Sequence, residues 1–457
     1  MQLLRRKDVD MLHGNIVKGI VALTLPIMVM TVLASVFNII DMTMLKTYGM
    51  PGENAVGAVG VCGSLISLIT ALVTGCSTGT NVAVAKRIGS GNREGVKRAV
   101  GTSVLFSAAG GLLLAFVGIV FARTFLTWVN CSDSLIDDAV TYFRLYFAAV
   151  PIQMVYSFSV AILRSAGDSS RPMIYSISGG LFKVALNYVF VAHTPMKGVV
   201  AVALATILSW GLCAFLSVRA VLTNKNDARL ELRRLRVYGE ELSDVLRVGI
   251  PTGLQMALYS VANVVITSTV NSYGAEATTG ISIANTFDGI LYQICHATSL
   301  AVLPYVSQNI GARNVARAKK SIMRGILITA AIGGFFGALS ASFSAQLSSL
   351  MTDSEAVIAY SREKMIIISS TYFICGINDI MGAAMRGMGK PMLATVTTLV
   401  YMCGLRFVWV YAFFPLCPNF TFLYLVWPVG WVLSLITILL FYFPHARRLA
   451  REARNPA

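Results

Sequence analysis

The sequence predicts an all-α integral membrane protein with twelve transmembrane helices. These form two six-helix lobes, related by a pseudo-two-fold axis along the membrane normal. Three observations support this prediction. The 457 residues are 56% hydrophobic and only 13% charged, whereas soluble domains carry about 25% charged residues. Long runs contain no charged residue at all, and short motifs of the first half recur in the same order in the second half.

Charge-free runs account for much of the chain. A transmembrane α-helix needs about 20 apolar residues, and six runs reach or exceed that length. The runs are uniformly apolar and do not alternate, which disfavours a β-barrel. They lie at 19–40, 54–85, 99–122, 198–218, 248–275 and 325–352.

Twelve helices follow from these runs and the turn signals between them. The last charge-free run, 407–446, is too long for one crossing, and residues 414–419 (FPLCPN) divide it because Pro and Asn favour turns. The helices predicted for the first half are 16–45, 55–83, 99–122, 137–163, 172–194 and 198–220. Those predicted for the second half are 246–271, 277–307, 322–345, 358–385, 391–413 and 420–444.

Lys and Arg gather on one side of this topology. With the N-terminus inside, 29 of the 37 Lys and Arg residues lie in inner segments, five in outer loops and three within helices. Lys364 is counted among the five outer residues. The positive-inside rule then predicts a multi-pass protein of the plasma (inner) membrane with both termini in the cytoplasm. The net charge of +16 has the same explanation, so the lipid bilayer is an expected partner and nucleic acid is not.

Several kinds of chemistry have no motif in this sequence. The eight Cys residues occur singly and no C-x-x-C is present, so neither a zinc site nor a disulfide framework is predicted. Neither a P-loop nor an H-E-x-x-H occurs, which predicts that the protein is not an enzyme and needs no metal or cofactor. Any active transport would therefore be driven by an ion gradient.

A basic phrase occurs twice in the chain. Residues 86–99 read KRIGSGNREGVKRA and residues 308–321 read QNIGARNVARAKKS. Both contain Ile-Gly, a nearby Asn and a basic pair, 222 positions apart. In the predicted topology each phrase is the cytoplasmic loop between the second and third helix of its half.

Other landmarks repeat in step with the two loops. Pro26 matches Pro251 at an offset of 225, and LNYVFV at 186–191 matches LRFVWV at 405–410 at an offset of 219. Because each half has an even number of helices, both halves have the same orientation in the membrane. The predicted domains are an N-terminal lobe (1–220), a cytoplasmic linker (221–245), a C-terminal lobe (246–445) and a basic cytoplasmic tail (446–457). The linker is rich in Arg and Glu and is expected to form an amphipathic surface helix.

Six short motifs together indicate a family. They are NIIDMTML, AKRIGSGNREGVKRA, LRSAGDSSRP, VSQNIGARN, MRGMGKP and GLRFVWVY, in this order along the chain. With the helix count, they resemble the multidrug and toxic compound extrusion (MATE) family over essentially the whole sequence. The resemblance implies a V-shaped pair of lobes that exports organic, usually cationic, compounds against an inward flow of Na⁺ or H⁺.

Ionisable residues inside a bilayer are costly and therefore indicate function. Asp41, Asp288 and Asp379 lie inside predicted spans. Asp41 follows Asn38 by one helical turn and matches the helix-one Asp of the MATE family. The residues expected to bind the coupling ion are Asp41, Asn38, Asn187, Thr206, Asp288 and Asp379.

Polar residues also form stripes on the seventh and eighth helices, at i+3 and i+4 spacing. Such stripes are typical of helices that line a water-filled cavity, although interhelical hydrogen bonds are the alternative. Two buried bases complete the pattern: Lys183 is expected to pair with Asp41, and Arg406 with Asp288. The predicted substrate-cavity residues are Gln255, Tyr259, Asn263, Asn285, Tyr292, His296, Lys183 and Arg406.

The coupling ion is left open by departures from the family pattern. NorM-type members have a Glu at the position of Tyr259 and an Asp near Cys375, and DinF-type members have an Asp at the position of Val191. This sequence has none of them, so it fits neither type clearly. A proton needs one acid, whereas Na⁺ normally needs several oxygens, so H⁺ is favoured and Na⁺ is the alternative.

The expected function is cation-coupled antiport of organic, mostly cationic, drug-like compounds by alternating access, by a monomer. The alternative within the superfamily is a flippase or exporter of lipid-linked or other amphiphilic metabolites. A major-facilitator carrier would show G-x-x-x-D-R-x-G-R-R in the loop between helices two and three, which is absent. The duplication and the buried acids argue against a scaffold or receptor.

Overall fold

We describe the chain from a computed structural model, which describes residues 8–48, 55–129, 131–132, 134–196, 198–224, 226–231 and 235–454. The regular elements within these ranges are all helical. The residues up to the linker form α1 Ile16–Tyr48, α2 Ala55–Gly89, α3 Arg93–Val120, α4 Ala122–Trp128, α5 Ile136–Ser165, α6 Ser170–His193 and α7 Gly198–Leu222. The residues after it form α8 Gly239–Asn271, α9 Ala275–Gly311, α10 Val315–Ser342, α11 Ser344–Ser349, α12 Glu355–Ser369, α13 Tyr372–Gly387, α14 Pro391–Thr398, α15 Leu405–Val408, α16 Phe420–Tyr424 and α17 Val426–Arg454.

The predicted set of transmembrane helices is confirmed. Within the described ranges, eleven helices are long and apolar enough to cross a membrane, or twelve if α12 and α13 form one span bent by 46°. Several helices extend beyond their predicted ends: α2 reaches Gly89 and α9 reaches Gly311. The prediction stopped where the apolar pattern stopped, but backbone hydrogen bonding continues through the polar residues that follow.

The linker differs from the prediction. A surface helix at 221–245 is wrong, because residues 226–231 and 235–238 are turn or extended backbone and α8 already begins at Gly239. The chain folds back instead, since the backbone N–H of Leu230 donates to the Val221 carbonyl at 3.2 Å. Acidic residues in the first turn of α8, such as Glu241, interact favourably with the positive end of its dipole and pair with Arg87 of α2.

Two compact units make up the chain. The first consists of Met1–Asp8 and Val29–Gly253, and the second of Val9–Met28 and Leu254–Ala457. Both α1 and α8 are therefore divided between the units, and each is divided two residues after its proline, Pro26 or Pro251. The lobes 1–220 and 246–445 stay a prediction.

Helix α5 is the centre of the first unit. It packs along α2, α3 and α7, and the phenyl rings of Phe143 and Phe147 lie in the core, with centroids 4.4 Å apart. Close helix packing requires Gly118 of α3, because a Cβ there would lie 1.7 Å from the ring of Phe147. Small residues at such points let apolar helices approach in a membrane, where packing is a main stabilising term.

Helix α9 has the corresponding central position in the second unit, packed along α10, α12 and α13. Regular backbone hydrogen bonding is interrupted at the break between α12 and α13. Side chains at the break supply donors: Ser370 Oγ donates to the Ile366 carbonyl at 2.6 Å, and Thr371 Oγ1 to the Ile367 carbonyl at 2.9 Å. Hydroxyl groups of this kind allow a broken helix at membrane depth.

The repeated basic phrase forms the same turn twice. Gly91 and its counterpart Arg313 are both left-handed, with φ of 68° and 56°. The next residue in each copy, Asn92 or Asn314, caps the following helix by accepting the backbone N–H three residues on, at 2.8 and 3.0 Å. The sequence repeat is thus a structural repeat, a loop closed by an Asn cap.

Candidate functional site

A buried charge cluster lies in the first unit, and we call Asp41, Lys183 and Asn187 the first cluster. Lys183 and Asn187 are one turn apart on α6, so both side chains face the same way. Lys183 Nζ donates to one carboxylate oxygen of Asp41 and Asn187 Nδ2 donates to the other. Asp41 is only 5% exposed. The predicted pairing of Lys183 with Asp41 is confirmed.

Two residues predicted for the coupling site lie apart from this cluster. Asn38 is exposed, although it is one turn from Asp41 on the same helix. Thr206 is buried, but its hydroxyl donates to the Val202 carbonyl at 2.8 Å within α7. Thr206 therefore uses its hydrogen within its own helix, as Thr side chains commonly do in apolar helices.

The second unit contains a cavity of about 280 Å³, which we call the second-unit cavity. Its walls come from α8, α9, α12, α13, α16 and α17. Aromatic and polar side chains line it: Tyr259, Tyr292, Tyr372, Tyr424, Trp427, Trp431, Asn263, Thr267, Asn285, Asp288 and Lys364.

An ion pair forms one wall of this cavity. Lys364 Nζ lies 2.9 Å from Asp288 Oδ2 and also donates to the amide oxygen of Asn285. The two charged side chains are 2% and 7% exposed. The predicted partner of Asp288 was Arg406, and that prediction is wrong, because Lys364 takes the position.

Lys364 is the functional candidate that sequence reasoning missed. It was counted with the outer-loop residues, although the predicted helix 358–385 already contains it. In the structure α12 begins at Glu355, so Lys364 lies well inside the helix, and its side chain is buried in the unit. Its position within the predicted helix was the available signal.

Arg406 does not itself line the cavity but contacts three residues that do. Its Nη1 donates to the Asn263 amide oxygen at 2.6 Å. Its guanidinium carbon is 4.6 Å from the ring centroid of Tyr259 and 4.7 Å from that of Trp427. Trp427 was also missed by sequence reasoning. These contacts are cation–π interactions, which are strong when desolvated, and Arg406 is only 1% exposed.

The backbone around Arg406 is irregular. The short helix α15 that carries it lies between two π-helical segments, Leu399–Gly404 and Trp409–Phe413. A π-turn shifts the following side chains around the helix axis and is frequent at functional sites. The equivalent helix of the first half, α6, is regular throughout.

The predicted stripe on the seventh helix reaches the cavity for part of its length. Tyr259 and Asn263 line the cavity, whereas Gln255 donates to Thr398 Oγ1 at 3.1 Å instead. The stripe on the eighth helix also lines the cavity for only part of its length. Asn285, Asp288 and Tyr292 line the cavity.

His296 and Asp379 form a separate pair in the second unit. His296 Nδ1 lies 2.8 Å from Asp379 Oδ2, and the His296 ring stacks on Tyr292 with centroids 5.2 Å apart. Neither residue belongs to the cavity lining. The ring of Tyr292, which does line the cavity, lies next to this pair.

The two units differ in their buried charge. In the first cluster one carboxylate faces one ammonium, so the cluster is neutral when both are ionised. In the second unit we call Asp288, Lys364 and Arg406 the second cluster. It has one carboxylate and two bases, and therefore one positive charge in excess.

Helices of membrane-spanning length, an internal duplication and buried ionisable groups around a small cavity indicate a membrane transporter. The sequence profile of the MatE family matches this chain twice, over residues 26–189 and 251–412. The chain belongs to the MatE family, and the two matches correspond to the two halves of the duplication. It is a multi-pass secondary transporter and not an enzyme.

Known proteins resemble the chain over most of its length. The probable multidrug resistance protein YoeA of Bacillus subtilis is 27% identical over 388 residues, which is 83% of each chain. A protein of Shewanella oneidensis named FAD transporter is 20% identical and covers 80% of this chain and 82% of its own. The crystal structure of a MATE protein in the straight conformation superimposes with a TM-score of 0.88 at 21% identity, over 98% of this chain and all of the other. The predicted MATE membership and fold class are confirmed.

Proposed function

We propose that this protein is a proton-coupled antiporter that exports small organic compounds by alternating access. It would work in the plasma membrane, as a monomer with both termini in the cytoplasm. Asp41 is the proposed proton site, and the second-unit cavity is the proposed compound site. The observation that carries the choice of ion is the surroundings of Asp41, where nitrogen donors occupy both carboxylate oxygens.

Nitrogen donors disfavour Na⁺ at this position. A sodium site needs several oxygens around one point, but the ammonium of Lys183 already occupies the place beside the carboxylate where the cation would bind. Val191, the position at which DinF-type members have an Asp, adds no oxygen and is buried. A proton needs no such shell. It binds one oxygen of Asp41, removes the negative charge and releases Lys183 from the pair.

Preference for organic cations is the part of the expected function that the geometry supports least. That expectation came from the resemblance to the MATE family, and the three buried acids were the candidate groups to attract a cation. Asp41 pairs with Lys183, Asp288 with Lys364 and Asp379 with His296. A carboxylate that already has a basic partner attracts a second cation only weakly.

Transport by the purified full-length protein in proteoliposomes tests the coupling ion. Membrane potential is held at zero with K⁺ and valinomycin, and a pH gradient or a Na⁺ gradient is imposed alone. Movement of fluorescent compounds of different charge is followed with time. We expect transport with the pH gradient and none with Na⁺ alone.

Asp41→Asn should abolish the proton-driven component in the same assay, since the amide cannot take up the proton. Asp137→Asn is the matched control, because Asp137 is an exposed acid at the start of α5. Transport driven by Na⁺ alone contradicts the proposal, and so does a full proton-driven rate in Asp41→Asn.

Orientation is tested with an impermeant maleimide added to intact cells. Cys417 is exposed and should be labelled from outside. Ser90→Cys, placed in the exposed loop after α2, should be labelled only after the cells are opened. Ser90 is preferable to Gly91, whose positive φ makes any side chain unfavourable there. Labelling of position 90 in intact cells reverses the proposed topology.

A second candidate is export of an amphiphilic metabolite. One relative bears the name FAD transporter, so resemblance to that protein favours a larger, anionic compound over a drug-like cation. The test loads the same proteoliposomes with FAD and imposes the pH gradient. Gradient-dependent movement of FAD that Arg406→Gln removes would support this candidate over the first.

A further inference from the structure

A second hollow in the second unit has purely apolar character. It has a volume of about 520 Å³, and its walls come from α9, α10 and α11. We call it the apolar groove. None of the described residues that line it is charged. Its main lining residues are Phe287, Ile290, Leu291, Leu339, Phe343 and Leu347.

The apolar groove and the second-unit cavity use opposite faces of α9. Asp288 and Tyr292 line the cavity. Phe287, Ile290 and Ile294 line the groove. At 3.6 residues per turn these two sets lie on opposite sides of the helix. The groove is therefore separate from the compound site, and a molecule in it packs against the back of the helix that carries Asp288.

Hydroxyl groups hold the walls of the groove in place. Ser340 of α10 shares a hydrogen bond of 3.1 Å with Ser369 of α12. Ser348 of α11 donates to Ser361 of α12 at 2.7 Å. These bonds fix α10 and α11 on α12, so the groove is a formed feature of the fold. They also occupy the hydroxyl of Ser340, which lines the groove.

The rim of the groove has the character of a lipid-facing surface. Helices α9 and α10 are both long and apolar enough to cross a membrane. Along the rim Leu339, Phe343 and Leu350 are 45%, 50% and 77% exposed. Large apolar side chains stay exposed in this way where a multi-pass protein contacts hydrocarbon, because lipid tails are as apolar as Leu. The groove is thus continuous with the surface that the bilayer covers.

Hydrocarbon suits the groove better than water does. A buried water needs two to four polar partners, and the described lining is apolar apart from Ser340 and Gln346. An unfilled gap costs the side chains of the wall their dispersion contacts. An alkyl chain restores these contacts and needs no hydrogen-bond partner.

The length of the groove matches one acyl chain. Phe287 and Ile294 are seven residues apart on α9, which is about 10 Å at 1.5 Å per residue. One leaflet of hydrocarbon is about 15 Å, half of the core of about 30 Å. A chain that runs parallel to the helices therefore fills the groove within one leaflet.

One end of the groove is polar. The groove begins at Phe343, where α10 ends, which is the depth at which the polar part of a lipid lies. Gln346 lines this end and is exposed. Its amide can donate to an ester or phosphate oxygen. A ligand with an apolar chain and a polar end matches this arrangement.

We propose that the apolar groove binds one acyl chain of a bilayer phospholipid, with the polar end of the lipid beside Gln346. The chain packs on Leu291, which is only 4% exposed and belongs to the core around Tyr372 and Cys375. The bound lipid thus supports α9 on the side opposite the second-unit cavity. This site is independent of the coupling ion and of the compound that is transported.

Photolabelling locates the chain. The full-length protein is placed in nanodiscs of phosphatidylcholine, of which a small share has a diazirine in one acyl chain, and mass spectrometry maps the label after irradiation. The outer stripe of α3 measures general lipid contact, since Leu112, Leu113 and Phe116 are 63–64% exposed. We expect at least about threefold more label per residue in the groove than in this stripe, which corresponds to a preference of about 0.7 kcal/mol.

Leu347→Trp should lower the label in the groove to the level of the α3 stripe, because the larger ring fills the space. Position 347 corresponds to Phe125 of the first half at the offset of 222, so an aromatic ring is compatible with this short helix. Leu113→Trp is the matched control on the exposed face of α3 and should leave the label in the groove unchanged. The ratio of groove to stripe in the unchanged protein stays decisive if Leu347→Trp fails to fold.

Label in the groove that does not exceed that of the α3 stripe overturns the proposal, and so does unchanged label in folded Leu347→Trp. Nanodiscs that hold two copies of the protein test the other occupant. Loss of the label from the groove in these discs would identify a second copy as the occupant and would also overturn the proposal.

Discussion

The fifth helices of the two halves make the same contact with different chemistry. Asn187 of α6 and Arg406 of α15 are equivalent positions, 219 residues apart in matching segments. Each donates to a side chain on the first helix of its own half: Asn187 to Asp41, and Arg406 to Asn263. The duplication has kept the position of a polar contact between these two helices.

The two halves differ in the charge of the residues around this contact. Asp41 corresponds to Ile266 at the offset of 225, and Lys183 corresponds to Met402 at the offset of 219. The ion pair of the first half therefore has no equivalent in the second. There Asp288 and Lys364 come from other helices, α9 and α12, and the base at the duplicated position is extra. One fold thus supports a neutral cluster in the first half and a cluster with one excess base in the second.

The largest expected effect concerns the neutral cluster. Lys183→Met leaves the buried carboxylate of Asp41 without its counter-ion, and breaking a buried pair in this way costs about 3–5 kcal/mol. The midpoint of unfolding in detergent should fall accordingly. The double variant Asp41→Asn with Lys183→Met should recover most of the loss. A single variant as stable as the unchanged protein would show that the pair is not formed.

A smaller loss is expected when the same change is made in the positive cluster. Lys364→Met removes the partner of Asp288 but leaves Arg406, so the cluster changes from one excess positive charge to neutral. The buried carboxylate keeps a base nearby, and we expect less than half the destabilisation of Lys183→Met in the same unfolding assay. Equal losses in the two variants would mean that Arg406 does not compensate Asp288, and the contrast between the clusters would fail.

Removing Arg406 should change stability less than removing Lys364. Arg406→Met loses two desolvated cation–π contacts of about 2 kcal/mol each, but also removes a buried charge that has no carboxylate partner among the described residues. The two terms oppose each other, so we expect a net change below about 1 kcal/mol. Comparison of its unfolding with that of Lys183→Met separates a base that a buried acid requires from a base without an acid partner.

The smallest effect tests the duplication in the cytoplasmic loops. Arg313 has the left-handed backbone that Gly91 has in the first half, and a side chain in that conformation costs about 1 kcal/mol. Arg313→Gly should therefore raise stability by up to about 1 kcal/mol. Lys320→Gly, on the exposed side of α10, is the control and should lower stability by a similar amount, because Gly weakens a helix interior. A loss of stability in Arg313→Gly would mean that the arginine side chain makes a contact worth more than the strain.

Much of the fold could be predicted because it depends on local patterns. Apolar runs of membrane-crossing length fixed the number of helices, and the repeated phrase located the two equivalent loops. The Asn caps follow from the same short motifs, since a cap involves residues only three apart. The linker helix was wrong because composition alone does not show that Leu230 folds back onto Val221.

The candidate site could be predicted only in part. Lys183 and Asp41 were paired correctly because each is the charged residue far from the ends of the charge-free sequence around it. In the second unit Arg406 was paired with Asp288 because it matches the helix-eleven Arg of the family, and that pairing failed because Lys364 had been counted with the outer-loop residues. One base left out of the membrane count was enough to exchange the partner of a buried acid.

By itself the sequence determined the class of protein, the duplication and which acids lie within the membrane, because these follow from hydropathy and spacing along the chain. Tertiary structure decided which base meets which acid, and hence that one cluster is neutral and the other positive. The physical reason is the separation along the chain between the residues that interact. A helix and its cap depend on neighbours within one or two turns, whereas Lys364 and Asp288, or Arg406 and Trp427, lie on different helices and meet only when those helices pack together.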